Sequence, residues 1–312
     1  MSSVPYLFPH SYRPLTTRGI YSRLSVALVP IVIAGIIRFG PAFLYRAGPV
    51  ILVSVLLDYF LARGLRRGNT VFDTLYTVML LLVLLPPLLP WHILILSSAV
   101  TIVVGKWTFG GTGSYWMHPA IIGFLFASVA FPWEMAHSFT TPFLWPDAAV
   151  DGAITEFLNV VLFSPLGFAV TDGLFNFLFG NQMGIVGASA ILLIIVSSVY
   201  LLANDIIPPV LPVFFTVTMF AGLMVTGEKE LIHSLLDAQV LLVAFFLYPD
   251  PSSRPKTKTG TVLVPVFTGL LTIVFIQAGF SCAPLYAYAV GNIVTPLIDS
   301  IAGRAYVRGF HG

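Results

Sequence analysis

The sequence predicts an all-α polytopic membrane protein, with about ten transmembrane helices in two inverted five-helix repeats and both termini in the cytoplasm. Three observations predict this fold class. Of the 312 residues, 57% are hydrophobic and 9% are charged, whereas soluble domains carry roughly a quarter charged residues. Apolar runs recur along the whole chain. The basic residues collect on one side of these runs, as in multi-span proteins.

The apolar runs give the predicted spans in order. They are 24–44, 50–62, 71–89, 91–106, 118–133, 185–203, 206–226, 233–248, 262–280 and 284–301. A helix needs about 20 apolar residues to cross the hydrocarbon core, so several runs are short. Pro86, Pro87 and Pro90 end the third run, and Pro119 opens the fifth at an accepted first-turn position. Short or proline-interrupted segments indicate a site at membrane depth.

The positive charges predict the orientation. With the N-terminus in the cytoplasm, the inner side holds Arg13, Arg18, Arg23, Arg63, Arg66, Arg67, Lys106, Arg254, Lys256, Lys258, Arg304 and Arg308. Arg46 and Lys229 lie outside, and Arg38 lies within the first span. Segment 134–184 carries acidic residues but no Lys or Arg, which places it outside. The polar N-terminus has no cleavage signature and is interpreted as a retained tail.

The predicted organisation has five parts. They are a cytoplasmic tail (1–23), a first membrane repeat (24–133), an extracytoplasmic segment (134–184), a second membrane repeat (185–303) and a cytoplasmic tail (304–312). An internal echo supports the two repeats. "FGGTG" from Phe109 and "FGNQMG" from Phe179 each precede an apolar span, on opposite sides of the membrane. An odd number of spans in each half makes the halves inverted.

Several function classes are excluded. Cys282 is the only cysteine, so the chain has no disulfide framework and no cysteine-ligated zinc or iron–sulfur site of its own. No His/Cys cluster has metal-ligand spacing, no phosphate-binding glycine loop of the Walker type occurs, and no catalytic residue is assigned. The chain has too few charged residues to form a basic surface for nucleic acid.

Acidic residues in or near apolar spans are candidates for an ion path. They are Asp58, Asp73 and Asp237. A carboxylate buried in a membrane costs several kcal/mol unless it is paired or neutral, so such residues are functional candidates by default. The alternative is pairing with backbone groups or with a partner subunit. Arg38 is a possible counter-charge within the first span.

Four motifs occur in order along the chain. They are Asp73 with "TVMLLLVLLPP"; Lys106 with Gly110, Gly111, Gly113 and His118-Pro119-Ala120; "YPDPSSRPKTKTG" with Asp250; and "GNIVTPLID" with Asp299. Together they resemble the family formed by the D subunit of the Rnf electron-transport complex and the B subunit of the Na⁺-translocating NADH:quinone reductase. The likeness covers nearly the whole chain. His118 stands where the family has Asn.

The resemblance implies a function and cofactors. It implies a multi-pass subunit in the bacterial inner membrane, part of an ion-translocating oxidoreductase that couples electron transfer through flavin to Na⁺ or H⁺ movement. Other membrane and peripheral subunits are the implied partners, and the chain is not a complete enzyme alone. The family carries FMN joined through its phosphate to a threonine on the outer face, and a riboflavin-type flavin within the membrane. Ser164 in "VLFSPLGF" is the counterpart of that threonine, although the Ser-Gly-Ala lead-in is absent and Ala188 replaces a Glu.

The glycine-rich loop is the second candidate flavin region. Glycines let the backbone approach a ligand, and aromatic rings can stack on an isoalloxazine. The candidate cofactor-binding residues are Lys106, Gly110, Gly111, Gly113, Trp116, His118 and Asp250. An interfacial aromatic belt is the alternative for Trp107, Phe109, Tyr115 and Trp116. The cations of "DPSSRPKTKTG" either set topology, the preferred interpretation, or hold a flavin phosphate or anionic lipid.

Two alternative functions stay open at this point. One is a flavin-free multi-span transporter on the same scaffold. The other is a structural or ion-path subunit of the redox complex with one flavin or none.

Overall fold

A computed structural model describes residues 16–66, 71–139, 177–178, 184–227 and 231–308. These residues form helices and connecting turns without a β-strand, which confirms the all-α prediction. The tail 1–15, most of the segment 134–184 with Ser164, and most of "FGNQMG" lie outside the described residues.

The described helices follow one another along the chain. They are α1 (Thr17–Phe39), α2 (Pro41–Gly64), α3 (Val71–Leu84), α4 (Trp91–Val100) with a first π-helix (Thr101–Trp107), α5 (Pro119–Ala130), α6 (Pro132–His137), a 3₁₀ turn (Val186–Ala190), α7 (Ile191–Ala203), α8 (Val210–Thr226), α9 (Leu231–Leu236), α10 (Ala238–Leu242) with a second π-helix (Val243–Leu247), α11 (Lys258–Gln277) and α12 (Ala283–Arg308).

Several of these helices are suited to cross a membrane. Five are long and apolar enough by length and composition: Thr17–Phe39, Pro41–Gly64, Val186–Ala203, Lys258–Gln277 and Ala283–Ala302. Shorter apolar helices cover Val71–Leu84, Trp91–Trp107, Pro119–Ala130, Val210–Thr226 and Leu231–Leu247. Each predicted span overlaps one of these segments. The prediction of a multi-span membrane protein is therefore confirmed, while the count of ten crossings stays a prediction.

The first helix begins earlier than its predicted span. α1 starts at Thr17 because the Thr16 side chain accepts a hydrogen bond from the Gly19 N–H at 3.2 Å. This contact satisfies one of the free N–H groups of the first turn. The early start brings Tyr21, a residue assigned to the tail, into a buried position on α1.

Contacts between helices define two ends of the bundle. One end, called the Asp73 end below, is where α1 and α3 begin and where α2 and both π-helices end. Hydrogen bonds and ion pairs identify it, since they connect Tyr21, Asp58, Asp73 and Asp250 through shared partners. At the Pro87 end, α3 has stopped at Leu84, as the prolines predict. The carbonyl groups freed there are bonded, since Arg46 donates to the Pro87 carbonyl at 3.1 Å and the Val186 N–H to that of Leu85 at 3.1 Å.

The described basic residues divide between the two ends as the charge pattern predicts. Those of the Asp73 end include Arg18, Arg23, Arg63, Arg66, Lys106, Arg254, Lys256 and Lys258, whereas Arg38, in the last turn of α1, and Arg46 lie toward the Pro87 end. The positive-inside rule assigns the Asp73 end to the cytoplasm. That orientation, like the inverted repeat, stays a prediction.

Small residues allow close packing in the middle of the bundle. A Cβ atom at Gly123 of α5 would collide with the Thr101 hydroxyl of the first π-helix, and one at Gly291 of α12 with the Thr268 hydroxyl of α11. Helices in a membrane associate through such close backbone approaches, because no hydrophobic effect drives them together. This packing brings the ends of distant helices together.

Candidate functional site

A buried ion-pair cluster lies at the Asp73 end. The Lys106 Nζ atom is 3.0 Å from Asp58 Oδ1 and 3.1 Å from Asp73 Oδ2. It also donates to Thr74 Oγ1 at 2.9 Å. All four side chains are at most 1% exposed. These four residues are called the Lys106 cluster below, and the three protons of the ammonium group match its three acceptors.

Secondary structure places these side chains. Asp58 lies in the last turns of α2, Asp73 in the first turn of α3, and Lys106 near the end of the first π-helix. A carboxylate in the first turn is favoured by the positive end of the helix dipole. π-Helical turns are rare and occur frequently at functional sites. The first π-helix carries Lys106 and the adjacent Trp107 to the same carboxylate.

Asp58 is fully hydrogen-bonded. Its Oδ1 accepts from Trp107 Nε1 at 2.7 Å in addition to Lys106, and its Oδ2 accepts from the Thr74 hydroxyl at 2.7 Å. Hydrogen bonds to the charged form favour an ionised carboxylate. Asp58 therefore has the donors that an anion needs at a buried position.

Asp73 is less well satisfied. Its Oδ2 accepts from Thr112 Oγ1 at 2.6 Å, while within the described part of the chain Oδ1 receives only a long contact of 3.2 Å from the Tyr115 hydroxyl. Tyr115 has one proton to donate, and it also lies 2.8 Å from the Tyr21 hydroxyl and 3.3 Å from Asp250 Oδ1. Burial, together with the Asp250 and Asp73 carboxylates, raises the pKa of Tyr115 well above its ordinary value, so this hydroxyl keeps its proton.

The glycine-rich loop 108–118 supplies two of these donors. Gly110, Gly111 and Gly113 have φ angles of 106°, 94° and 88°. L-residues with a Cβ rarely adopt this region, so the loop needs glycine at these positions. The turns direct Thr112 and Tyr115 back into the cluster. In the described structure the glycines therefore position polar side chains of the chain itself.

The second half of the chain contributes Asp250, just after the second π-helix. Its Oδ1 accepts from the Tyr21 hydroxyl at 2.7 Å, and its Oδ2 accepts from the Ser253 N–H at 3.0 Å and hydroxyl at 2.9 Å. The Tyr288 hydroxyl of α12 donates to the Leu247 carbonyl at 2.9 Å and lies 3.4 Å from Ser253 Oγ. Polar contacts thus run continuously from α2 to α12.

This arrangement carries surplus negative charge. Asp58, Asp73 and Asp250 supply three buried carboxylates, and Lys106 is the one described cation in ion-pair contact with any of them. Buried charges without a partner cost several kcal/mol. The cluster can therefore take up a further positive charge, either a proton or a small cation.

His118 caps α5 directly before Pro119, as the sequence predicts for a helix that opens at this proline. Its Nδ1 accepts from the Ala120 N–H at 3.2 Å, so the proton of the neutral ring sits on Nε2. The ring lies between those of Tyr76 and Tyr115, with centroid separations of 5.6 and 6.5 Å. Among the described residues, the buried Nε2 atom has no hydrogen-bond partner.

The comparison with known sequences decides the family. The sequence profile of the NQR2, RnfD, RnfE family matches residues 7–307. The chain belongs to this family. This membership confirms the resemblance carried by the four motifs, and it extends over nearly all of the chain.

Curated proteins of similar length bear the names of Rnf-type subunits. The chain is 26% identical over 296 residues to the D subunit of the ion-translocating oxidoreductase complex of Methanosarcina acetivorans, covering 93% of this chain and 92% of that protein. It is 25% identical over 305 residues to the D subunit of the Na⁺-translocating ferredoxin:NAD⁺ oxidoreductase complex of Acetobacterium woodii, with coverages of 93% and 91%. It is 25% identical over 303 residues to the D subunit of the proton-translocating ferredoxin:NAD⁺ oxidoreductase complex of Clostridium ljungdahlii, with coverages of 93% and 92%.

The resemblance described above implies Asn at the position of His118, and the described geometry explains how His serves there. An Asn side chain caps a helix by offering an oxygen to the N–H two or three residues on. The His118 Nδ1 atom does the same for Ala120. The imidazole ring also fills space between two tyrosine rings.

Asp237 lies away from the Lys106 cluster, at the Pro87 end. It caps α10, with Oδ1 accepting from the Gln239 N–H at 2.7 Å. It borders a cavity of about 260 Å³ whose lining includes His233, Gln239, Phe280 and Ser281. The Gln239 Nε2 atom donates to the Ser281 carbonyl at 3.2 Å. The three predicted ion-path acids are therefore divided, two at one end and one at the other.

Trp116 and Arg38 lie outside the buried cluster. The Trp116 ring is 38% exposed and packs edge-on against Phe109, with centroids 6.0 Å apart. Arg38 is not the counter-charge of Asp58 or Asp73, because Lys106 pairs with both. Arg38 is near the far end of α1, about 25 Å from Tyr21 along the helix axis at 1.5 Å per residue.

Sequence reasoning missed the neutral hydroxyl groups of the site. They are Tyr21, Thr74, Thr112, Ser253 and Tyr288. A single hydroxyl in an apolar helix has no pattern that separates it from an ordinary polar residue. Tyr21 had one usable signal, since it begins the buried stripe of α1 that continues through Leu24, Leu28 and Ile31.

Proposed function

We propose that this chain is the membrane-embedded D-type subunit of a redox-driven, ion-translocating electron transport complex in a bacterial inner membrane. The observation that carries the proposal is the Lys106 cluster with Asp250, which a chain otherwise poor in charge buries at one end of its helix bundle. The family match over residues 7–307 supports it. Any iron–sulfur centre of the complex is held by partner subunits, since this chain has a single cysteine.

Asp58 and Asp73 serve in the cation path of this proposal. Two buried carboxylates that share one lysine attract a monovalent cation, which is either Na⁺ or H⁺. Asp237 belongs to the same path at the opposite end. Along α10 and the second π-helix, Asp237 and Asp250 are separated by about 20 Å, so the second half places one carboxylate near each end.

The ion-path assignment is tested in the assembled complex. Co-expressed subunits are reconstituted in proteoliposomes, and redox-driven uptake of ²²Na⁺ and change of internal pH are measured together. We expect Asp73→Asn and Asp58→Asn to lower ion uptake at least about tenfold, an effect of roughly 1.4 kcal/mol on the path. Glu134→Gln is the control, because Glu134 lies in α6 at the Pro87 end, away from the cluster. Full uptake by both Asp variants would remove these residues from the path.

Flavin binding is the second part of the proposal. A bound flavin supplies a carrier that takes electrons from one partner and passes them to the next. One buried atom fits such a group, since the His118 Nε2–H is a donor without a described partner and suits a flavin carbonyl oxygen. Trp116 offers a partly exposed ring nearby, and the chain positions both through loop 108–118. Lys106 already pairs with Asp58 and Asp73, and Asp250 already accepts from Tyr21 and Ser253. These two residues would therefore position the flavin-binding loop and not contact the flavin.

Ser164 is the proposed site of covalent FMN attachment. The intact mass of the denatured chain, from cells that co-express its neighbours and the flavin-attaching enzyme, is the direct measurement. We expect a gain equal to FMN less water, lost in Ser164→Ala, with ultraviolet fluorescence of the band. An unmodified mass and a dark band would favour a subunit that serves the ion path without covalent flavin.

A further inference from the structure

The Lys106 ammonium group occupies the place that a transported cation would take beside Asp73. It lies 3.1 Å from Asp73 Oδ2 and keeps two other acceptors, Asp58 Oδ1 at 3.0 Å and Thr74 Oγ1 at 2.9 Å. The lysine can therefore release Asp73 and still hold two of its three hydrogen bonds. The lysine side chain is suited to such a shift, because its ammonium group stands at the end of a flexible stem of four methylene groups.

The balance of charge favours one additional monovalent cation. With Asp58 and Asp73 ionised and Lys106 protonated, the cluster carries one negative charge in a buried setting. A second monovalent cation balances the charges of Asp58, Asp73 and Lys106, while Asp250 lies outside this group and accepts from Tyr21 and Ser253. Lys106 then pairs with Asp58, and the additional cation pairs with Asp73.

A second observation concerns the other oxygen of the Asp73 carboxylate. Among the described residues, Asp73 Oδ1 has only the long contact with Tyr115. One helical turn further along α3, the Thr77 hydroxyl is fully buried and its Oγ1 atom has no partner among the described residues. Residues four apart lie on the same face of a helix. Asp73 and Thr77 therefore lie on one face of α3, where a weakly bonded carboxylate oxygen and a hydroxyl oxygen without a described partner are candidate ligands for a small hard cation.

We propose that Lys106 is a tethered counter-ion that competes with the transported cation for Asp73. In the resting state the ammonium group neutralises Asp73. When a Na⁺ ion or a proton arrives at Asp73, Lys106 withdraws to Asp58 and Thr74, and it returns when the cation leaves. The Lys106 ammonium stays protonated throughout, and an arriving proton forms an O–H bond with Asp73 that breaks again on its departure. This inference rests on the proposed ion-translocating function and adds a positioning role for Lys106.

The test measures how uptake depends on cation concentration in the reconstituted complex. The half-saturating Na⁺ concentration is determined at fixed pH, and the pH midpoint is determined at fixed Na⁺. The key variant is the double substitution Lys106→Met with Asp58→Asn, which leaves the net charge of the cluster unchanged but removes the competitor. Asp58→Asn alone leaves Lys106 with Asp73 as its one carboxylate, so uptake falls. The double variant has no competing lysine, so we expect its half-saturating concentration to fall about tenfold, within the usual range of coupling between two sites. The Na⁺ and pH arms show which cation competes.

Two further variants separate competition from a structural role. Lys106→Arg keeps the positive charge, so its half-saturating Na⁺ concentration and its pH midpoint should stay near those of the unmodified chain. Thr74→Val removes one of the two acceptors that hold Lys106 after it leaves Asp73, so it should raise the half-saturating concentration. This increase should vanish in the Lys106→Met, Asp58→Asn background, which has no lysine to hold. The inference is overturned by a double variant that assembles and keeps the original midpoint. Absence of cation-dependent uptake in the unmodified complex would instead overturn the proposed function itself.

Discussion

The hydroxyl group of Tyr115 joins the two halves of the protein at the scale of a single residue. It lies within hydrogen-bonding distance of Asp73 from the first half and of Asp250 from the second. The Tyr21 hydroxyl shares the same position, 2.8 Å from Tyr115. A buried network of this kind is stable only while each acceptor finds a donor.

Removing the Tyr115 hydroxyl tests this junction. Tyr115→Phe keeps the ring but leaves Asp73 Oδ1 without a donor, so we expect the free energy of unfolding to fall by about 1–3 kcal/mol. Thermal unfolding of the purified protein in detergent is the measurement. Tyr200→Phe is the matched control, because Tyr200 is 39% exposed on α7. Equal stability of the two variants would show that the hydroxyl does not stabilise the network.

At the scale of elements, both π-helices end in residues that build the site. The first ends at Lys106 and Trp107, and the second ends at Leu247, three residues before Asp250. Both follow short apolar helices that enter from the Pro87 end. Helix α5 then begins at the site itself, with His118 as its cap. The ends of short helices, more than their middles, supply the chemistry.

The cap of α5 gives the prediction at this scale. His118→Ala removes the acceptor for the Ala120 N–H and should lower the free energy of unfolding by about 1 kcal/mol. His118→Asn restores an acceptor at the same position and should recover most of that loss. Thermal unfolding in detergent distinguishes the three proteins. A loss in His118→Asn as large as that in His118→Ala would mean that ring packing, not capping, is the role of His118 in stability.

For the whole molecule, the important property is that the bundle has two chemically different ends. The Asp73 end holds most of the described basic residues and the buried carboxylate cluster, and the Pro87 end holds broken helices and the Asp237 cavity. A transport function depends on which end faces the cytoplasm. The positive-inside rule assigns the Asp73 end to that side.

Cysteine labelling of intact cells tests this orientation. In a Cys282→Ala background, His137→Cys places a thiol at the exposed end of α6, and Lys258→Cys places one at the exposed start of α11. A membrane-impermeant maleimide should label His137→Cys from outside the cell, and Lys258→Cys only after lysis. The reverse pattern would invert the assigned topology.

How far the sequence leads depends on whether a feature is local. The helical stop at Pro86 and Pro87 and the start of α5 at Pro119 were predictable, because proline acts through its own backbone and neighbours. Asp58 and Asp73 were identifiable as site candidates, because a charge in an apolar run costs free energy wherever it is buried. Their shared partner Lys106 was assigned instead to a cofactor, and Arg38, a possible counter-charge, forms no described ion pair with Asp58 or Asp73.

The sequence by itself determined that this protein is a multi-span helical membrane protein of the NQR2, RnfD, RnfE family, because hydropathy, proline positions and ordered motifs are properties of short stretches. Only the tertiary structure decided which charges meet. Asp58 and Lys106 are far apart along the chain, as are Tyr21 and Asp250, and each pair meets only because the packed bundle brings helix ends together. Such long-range geometry is set by the whole bundle, and no local pattern encodes it.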